Sequence, residues 1–168
     1  LQQQNWKADL FLVGWFCIFV MRYPGFSFFS AQTIFLEKDS LKHKVAKFRS
    51  FLRKSGIFCY AKSKKFRGHI FLVDEGLIQT AHNFLVTPGK NTILSLTKEF
   101  VEKVPLPDHV VYFMEAPDEL IRRLLKRGKL SPRVSDDESL KMFVKEAFNM
   151  FSIMFSSPRL KNILLNSK

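Results

Sequence analysis

Apolar positions are packed unevenly along the chain. From Trp6 to Met21 the residues read as a strongly apolar helix, and Leu10–Met21 is a run of twelve uncharged residues bounded by Asp9 and Arg22. A membrane-spanning helix needs about 20 such residues, so this run predicts a buried or interface helix, with membrane contact as the alternative. A secretory signal fits less well, because the N-terminus is Gln-rich with one lysine and no small-residue cleavage site follows. Tyr23, Pro24 and Gly25 interrupt the helix, and a second apolar stretch runs from Phe26 to Leu36.

The pattern then changes to one-sided. Leu41, Val45, Phe48 and Leu52 recur at i, i+4, i+7 and i+11, one face of a helix whose other positions are largely basic. Such a helix packs its stripe on a core and leaves its lysines in water, or it lies on an anionic membrane or RNA; the first arrangement is the commoner. Gly56 is the expected end of this helix. His69–Val73 is short, apolar and partly β-branched, as expected of a strand buried on both faces, and it stops at Asp74, Glu75 and Gly76. After a loop with Pro88 and Gly89, Asn91 or Thr92 is placed to cap a helix with Ile93, Leu96, Phe100 and Val101 inward, ended by Pro105 and Pro107.

A second strand is expected at His109–Met114, followed by a helix opened by Pro117, Asp118 and Glu119, carrying Leu120, Leu124 and Leu125 inward and ending at Gly128. Ser135 and Glu138 form an S-x-x-E capping box ahead of a helix with Phe143, Ala147, Met150 and Met154 on one side. Ile163–Leu165 opens a third strand. Strands alternating with helices predict an α/β class with a parallel sheet flanked by helices. The expected organisation is a helical, partly apolar and basic region over 1–56 and an α/β portion over 57–168, one domain overall.

Composition narrows the partners. The 168 residues are 46% hydrophobic and 25% charged, which excludes disordered and low-complexity classes. Lys and Arg outnumber Asp and Glu by 27 to 15, and between Ser40 and Val73 there is no acidic residue at all. A net charge of +12 favours an anionic partner: a nucleotide, a nucleic acid or an acidic membrane surface. Basic and aromatic residues interleave only partly here, which argues against nucleic acid. Cys17 and Cys59 sit among apolar residues with no CxxC or histidine at ligand spacing, which disfavours a disulfide framework or a zinc site and suits a reducing, cytoplasmic setting. No GxSxG elbow supports hydrolase chemistry. The chain opens on Leu1 rather than Met and is read as a fragment.

Two segments carry a resemblance. The stretch Val104 to Lys129 holds Pro107-Asp108 before a strand, Pro117 opening the next helix, and Arg123 through Arg127 and Gly128 at its end; Ile70 to Gly76 ends an apolar strand on Asp74 and Glu75. Together these resemble thymidylate kinases and related P-loop nucleotide and nucleoside kinases. The resemblance implies phosphoryl transfer from ATP to a small acceptor, with magnesium held by Asp74, Asp74 and Glu75 as the catalytic carboxylates, and Arg123, Arg127, Lys129 and Arg133 as nucleotide- and phosphate-binding cations. That chemistry needs a phosphate cradle, a carboxylate for magnesium or water, and positioned cations. The chain departs from the family in lacking a Walker A loop, G-x-x-x-x-G-K-S/T; the nearest approach, Pro88-Gly89-Lys90-Asn91-Thr92, lacks the first glycine and comes after the acidic strand. Three classes therefore stand: a nucleotide-binding kinase, a noncatalytic degenerate kinase, and a noncatalytic basic protein that binds an acidic membrane surface through residues 10–67, or RNA.

Overall fold

The computed structural model describes residues 6–37, 40–63, 68–86, 94–113, 115–127, 134 and 136–165, with side chains in the first helix described from Leu10 onward. The chain divides into two compact units, Leu1–Phe84 and Leu85–Lys168. Of the described residues, 73% are helical and 3% are in strands.

The first unit is built on three helices: α1 (Trp6–Arg22), α2 (Pro24–Leu36) and α3 (Leu41–Ala61). Proline cannot donate a backbone hydrogen bond, so the chain breaks at Tyr23 and Pro24 opens α2, bent by 111° from α1. The break is well satisfied. The Tyr23 N–H donates to the Phe19 carbonyl at 2.8 Å, and the Tyr23 carbonyl accepts from the Ser27 N–H at 3.0 Å and the Ser27 hydroxyl at 2.9 Å.

Leu12, Trp15, Phe16 and Phe19 form the face of α1 turned toward α3. Phe19 is fully buried, with ring centroids 6.0 Å from Phe51, 6.3 Å from Phe58 and 6.3 Å from Phe26, mostly edge to face. The helices approach most closely at Gly56: a Cβ there would lie 2.8 Å from the Leu12 carbonyl oxygen. Gly56 therefore does not end α3, which continues to Ala61. A glycine can stop a helix or admit a neighbour, and here it admits one.

The stripe expected to face the core is rotated. Leu41 and Val45 are exposed, Phe48 and Leu52 half-buried, and the buried positions are Lys47, Phe51, Ser55, Gly56 and Cys59. Lys47 tolerates burial because its ammonium is paired with the Glu37 carboxylate at the end of α2. Leu77, Ile78, Ala81 and Phe84, the last two on α4 (Thr80–Leu85), complete this core.

In the second unit α5 (Leu94–Lys103), α6 (Pro117–Arg127), α7 (Asp137–Ser156) and α8 (Pro158–Lys161) surround a small parallel pair, β1 (Val110–Val111) and β2 (Leu164–Leu165). Ile121 of α6 meets Val134, Leu140 and Val144 in one apolar cluster, with Leu120, Leu124 and Phe143 against it. Leu125, expected inward, is exposed. Met150, Met154 and Leu160 are fully buried. The capping box of α7 is formed by Asp136 and Ser139: the Ser139 N–H donates to the Asp136 carboxylate at 2.8 Å and the Asp136 N–H to the Ser139 hydroxyl at 3.2 Å. Ser135, Gly128, Met114, Asn91, Thr92, Ile93, and the loop from Pro88 lie outside the described residues.

The α/β expectation is overturned. A parallel sheet flanked by helices needs strands buried on both faces. Residues 69–73 form no strand and are exposed, 109–114 contributes two strand residues, and the described sheet has two strands. Short apolar runs do not distinguish a strand from other apolar segments by periodicity, and here the burial that would stabilise a sheet goes into helix-on-helix contacts instead.

Candidate functional site

The carboxylates singled out from the sequence occupy an exposed bend. Asp74 and Glu75 follow the extended residues 70–73, and Glu75 is ion-paired with Lys54 of α3 at 3.1 Å. Among the described residues no group of three or more His, Cys, Asp or Glu side chains is arranged to hold a metal, at Asp74 or elsewhere.

The arginines of α6 are engaged locally. Arg122 grips the Glu119 carboxylate through two nitrogens, both at 2.7 Å, and Arg123 donates to the same carboxylate at 2.7 Å while approaching Glu115 at 3.4 Å. The two guanidiniums, chiefly through these hydrogen bonds, hold the Glu119 carboxyl down at about 2. Arg127 is exposed in the last turn, and Lys129 and Arg133 lie outside the described residues. Gln79 and His82, which follow the acidic residues, bond to each other: the imidazole Nδ1 donates to the Gln79 carbonyl. Burial pushes the Cys59 thiol up, an effect Arg22 partly opposes, which is the reverse of what a nucleophile requires.

The carboxylate pair has one member tied to a lysine, and Arg123 is committed to two glutamates. A cavity of 280 Å³ does open between α5 and α7–α8, lined in part by Lys98, Val101, Ile153 and Arg159. Its guanidinium is already occupied, with Arg159 donating to the carbonyls of Val101 and Glu102 and so capping the end of α5. None of the expected site residues that are described lines it.

A different surface stands out in the first unit. Opposite the buried face of α1, Leu10, Val13, Gly14, Cys17, Ile18 and Met21 form an exposed stripe at helical spacing, with Met21 74% exposed. Phe28, Phe35 and Leu36 of α2 are exposed as well, Phe28 at 70%. Residues 10–36 carry one charge, Arg22. A helix that is apolar all round belongs in a core or in lipid, and α1 has only one face in a core. Two polar side chains of α2 suit an apolar setting: the Ser27 hydroxyl donates to Tyr23 and the Thr33 hydroxyl to Phe29, each to a carbonyl four residues back.

Cations border this surface. Lys42 is exposed beside Leu41 at the start of α3, and the Lys44 ammonium donates to the Phe35 carbonyl at 2.7 Å. The first unit carries 13 of the basic residues and 5 of the acidic ones, a net +8 out of the chain's +12. Among the described residues no single helix is long and apolar enough to cross a membrane; α1 from Leu10 and α2 reach that length and composition only as a bent pair.

The sequence signal for this surface was the uncharged run itself. What sequence reasoning missed was which side of α1 remains uncovered, since an all-apolar helix has no periodicity that reveals it. No family model matches the chain, and neither the curated proteins nor the solved structures yielded a match.

Proposed function

We propose that this is a noncatalytic basic protein of an anionic membrane surface, on its cytoplasmic side. The observation that carries this reading is the exposed, charge-free apolar surface that α1 and α2 each present. Burying such a face in the headgroup and acyl boundary gains about 25 cal/mol for each Å² of apolar area removed from water. The bent pair lies in one leaflet as a wedge, because α1 spans only about 25 Å at 1.5 Å per residue against a hydrocarbon core of about 30 Å. The lysines near the start of α3 then add about 1 kcal/mol each where they reach acidic headgroups. The interleaving of aromatic and basic residues that an RNA surface calls for is only partial here, which favours lipid.

Co-sedimentation with phosphatidylcholine vesicles, with and without phosphatidylserine, tests this. The chain is expected to pellet with the anionic vesicles and less with the neutral ones, and the Ile18→Asp/Met21→Asp variant to pellet less than the wild type with both. A wild-type chain that ignores anionic vesicles sinks the reading.

A second reading keeps the activity that the resemblance implies, phosphoryl transfer from ATP and magnesium to a small acceptor. The local order from Pro107-Asp108 through β1 to Pro117 and α6, with Arg123 and Arg127 on that helix, favours it. Calorimetric titration with ATP and magnesium decides: binding that is lost in Asp74→Asn supports this reading, and no heat of binding removes it.

A further inference from the structure

Gly68 takes a φ of +83°, a left-handed turn open to glycine, and an exposed apolar run follows it as far as Val73. Exposure alternates along the run, as on an extended chain whose successive side chains point to opposite sides. Ile70 and Leu72 are 91% and 95% exposed, and Phe71 and Val73 about half as much. The outward side is therefore a pair of aliphatic side chains with no polar atom, held almost wholly in water.

Charge around the pair selects what covers it. Lys62, Lys64, Lys65 and Arg67 precede it in sequence, and Arg67 stands within about 11 Å of Ile70 along the chain. Of the two acids that close the run, Glu75 is neutralised by Lys54 of α3 at 3.1 Å. An apolar tip beside a basic stretch matches an anionic bilayer, whose headgroups take the cations and whose acyl boundary takes the aliphatic carbons. The run also belongs to the same compact unit as α1 and α2. Tyr60, where α3 ends and the basic stretch begins, packs its ring 5.3 Å from Phe11 and 5.5 Å from Trp15. Phe11 is itself exposed beside Leu10 and Ile18 on the uncovered side of α1.

We infer that Ile70 and Leu72 are a second insertion point of this chain into an anionic bilayer, next to the cations of 62–67. The inference rests on the lipid reading of α1 and α2. Insertion is shallow, because backbone outside a helix or closed sheet would leave its N–H and C=O groups unpaired in hydrocarbon, so only the side chains pass the headgroups. Two side chains do not hold a chain at a bilayer by themselves, since even one acyl chain binds only marginally. They add to the hold of the α1 and α2 surface.

An environment-sensitive NBD label on Cys17→Ser/Leu72→Cys tests this on the full chain. Cys59 is buried and its thiol is pushed up by that burial, so the label goes to position 72. On phosphatidylcholine vesicles containing phosphatidylserine, emission is expected to shift to the blue and to be quenched when the lipids carry brominated acyl chains. Ile70→Asn/Leu72→Asn, uncharged so that headgroup repulsion is not introduced and at sites too exposed to disturb folding, is expected to bind these vesicles at least about fivefold more weakly. A chain that pellets with the vesicles while its label stays in water overturns the inference and leaves the lipid reading of α1 and α2 standing. So does an Ile70→Asn/Leu72→Asn variant that binds as tightly as the wild type, which would leave the pair to be covered by protein. A wild type that does not pellet at all overturns both.

Discussion

Gly56 shows how a single residue type can be read two ways. Its missing Cβ lets the Leu12 carbonyl of α1 come within what would be 2.8 Å of that carbon, and the obstacle is backbone, which cannot rotate away. Gly56→Ala gains about 1 kcal/mol of helix propensity in α3, yet forces α1 outward against a packed aromatic layer, which costs about 1–3 kcal/mol or more. The net is expected to be destabilising, by up to about 2 kcal/mol. A urea midpoint lowered with an unchanged slope would show it, and a midpoint at or above the wild type would mean that the helices do not meet at this glycine. Lys47 makes the same point about legibility. It reads from sequence as one more solvated lysine, and it is buried because Glu37, ten residues earlier on another helix, supplies its counter-ion. Spacing within α3 contains no trace of that partner.

At the scale of elements, helices were legible where a long apolar or amphipathic pattern ran into clear punctuation. α1 and α2 are divided at Tyr23 and Pro24 as the sequence indicates, and α6 opens at Pro117 with its acidic first turn. Strands were legible only in part: β1 and β2 fall within the runs at 109–114 and 163–165, but the apolarity at 69–73 gave no sign of what would lie on either face. The acidic turn of α6 has a measurable consequence. Glu119 is depressed from 4.5 to about 2 by hydrogen bonds from Arg122 and Arg123. A carboxyl lowered in the folded state contributes stability that is fully present above its unfolded value and is lost as pH falls through the folded one. The gap in melting temperature between wild type and Glu119→Gln is therefore expected to be constant from neutral pH down to about 5 and to close between 4.5 and about 2. Because the pair is exposed, the gap should be small and should shrink in high salt. A gap that widens on acidification would contradict the assignment.

For the molecule as a whole, net charge and exposed apolar area sit in the same unit, and the two contributions to lipid binding can be separated by salt. Coulomb attraction between the lysines and acidic headgroups acts over a Debye length of about 10 Å at 0.1 M and about 3 Å at 1 M. Burial of the α1–α2 face does not weaken with salt, and excluded ions slightly strengthen it. Wild-type affinity for anionic vesicles is thus expected to fall between about 0.1 and 1 M salt and then level off at the affinity for neutral vesicles. In Ile18→Asp/Met21→Asp the apolar contribution is removed, so the remaining binding is expected to vanish at high salt without a plateau. The reverse pattern, in which the wild type falls to zero and the substitutions change nothing, would assign the whole interaction to the basic residues around α3 and leave the exposed face of α1 to be covered by protein. Both arms can be read from a single titration of each chain against the same two vesicle compositions.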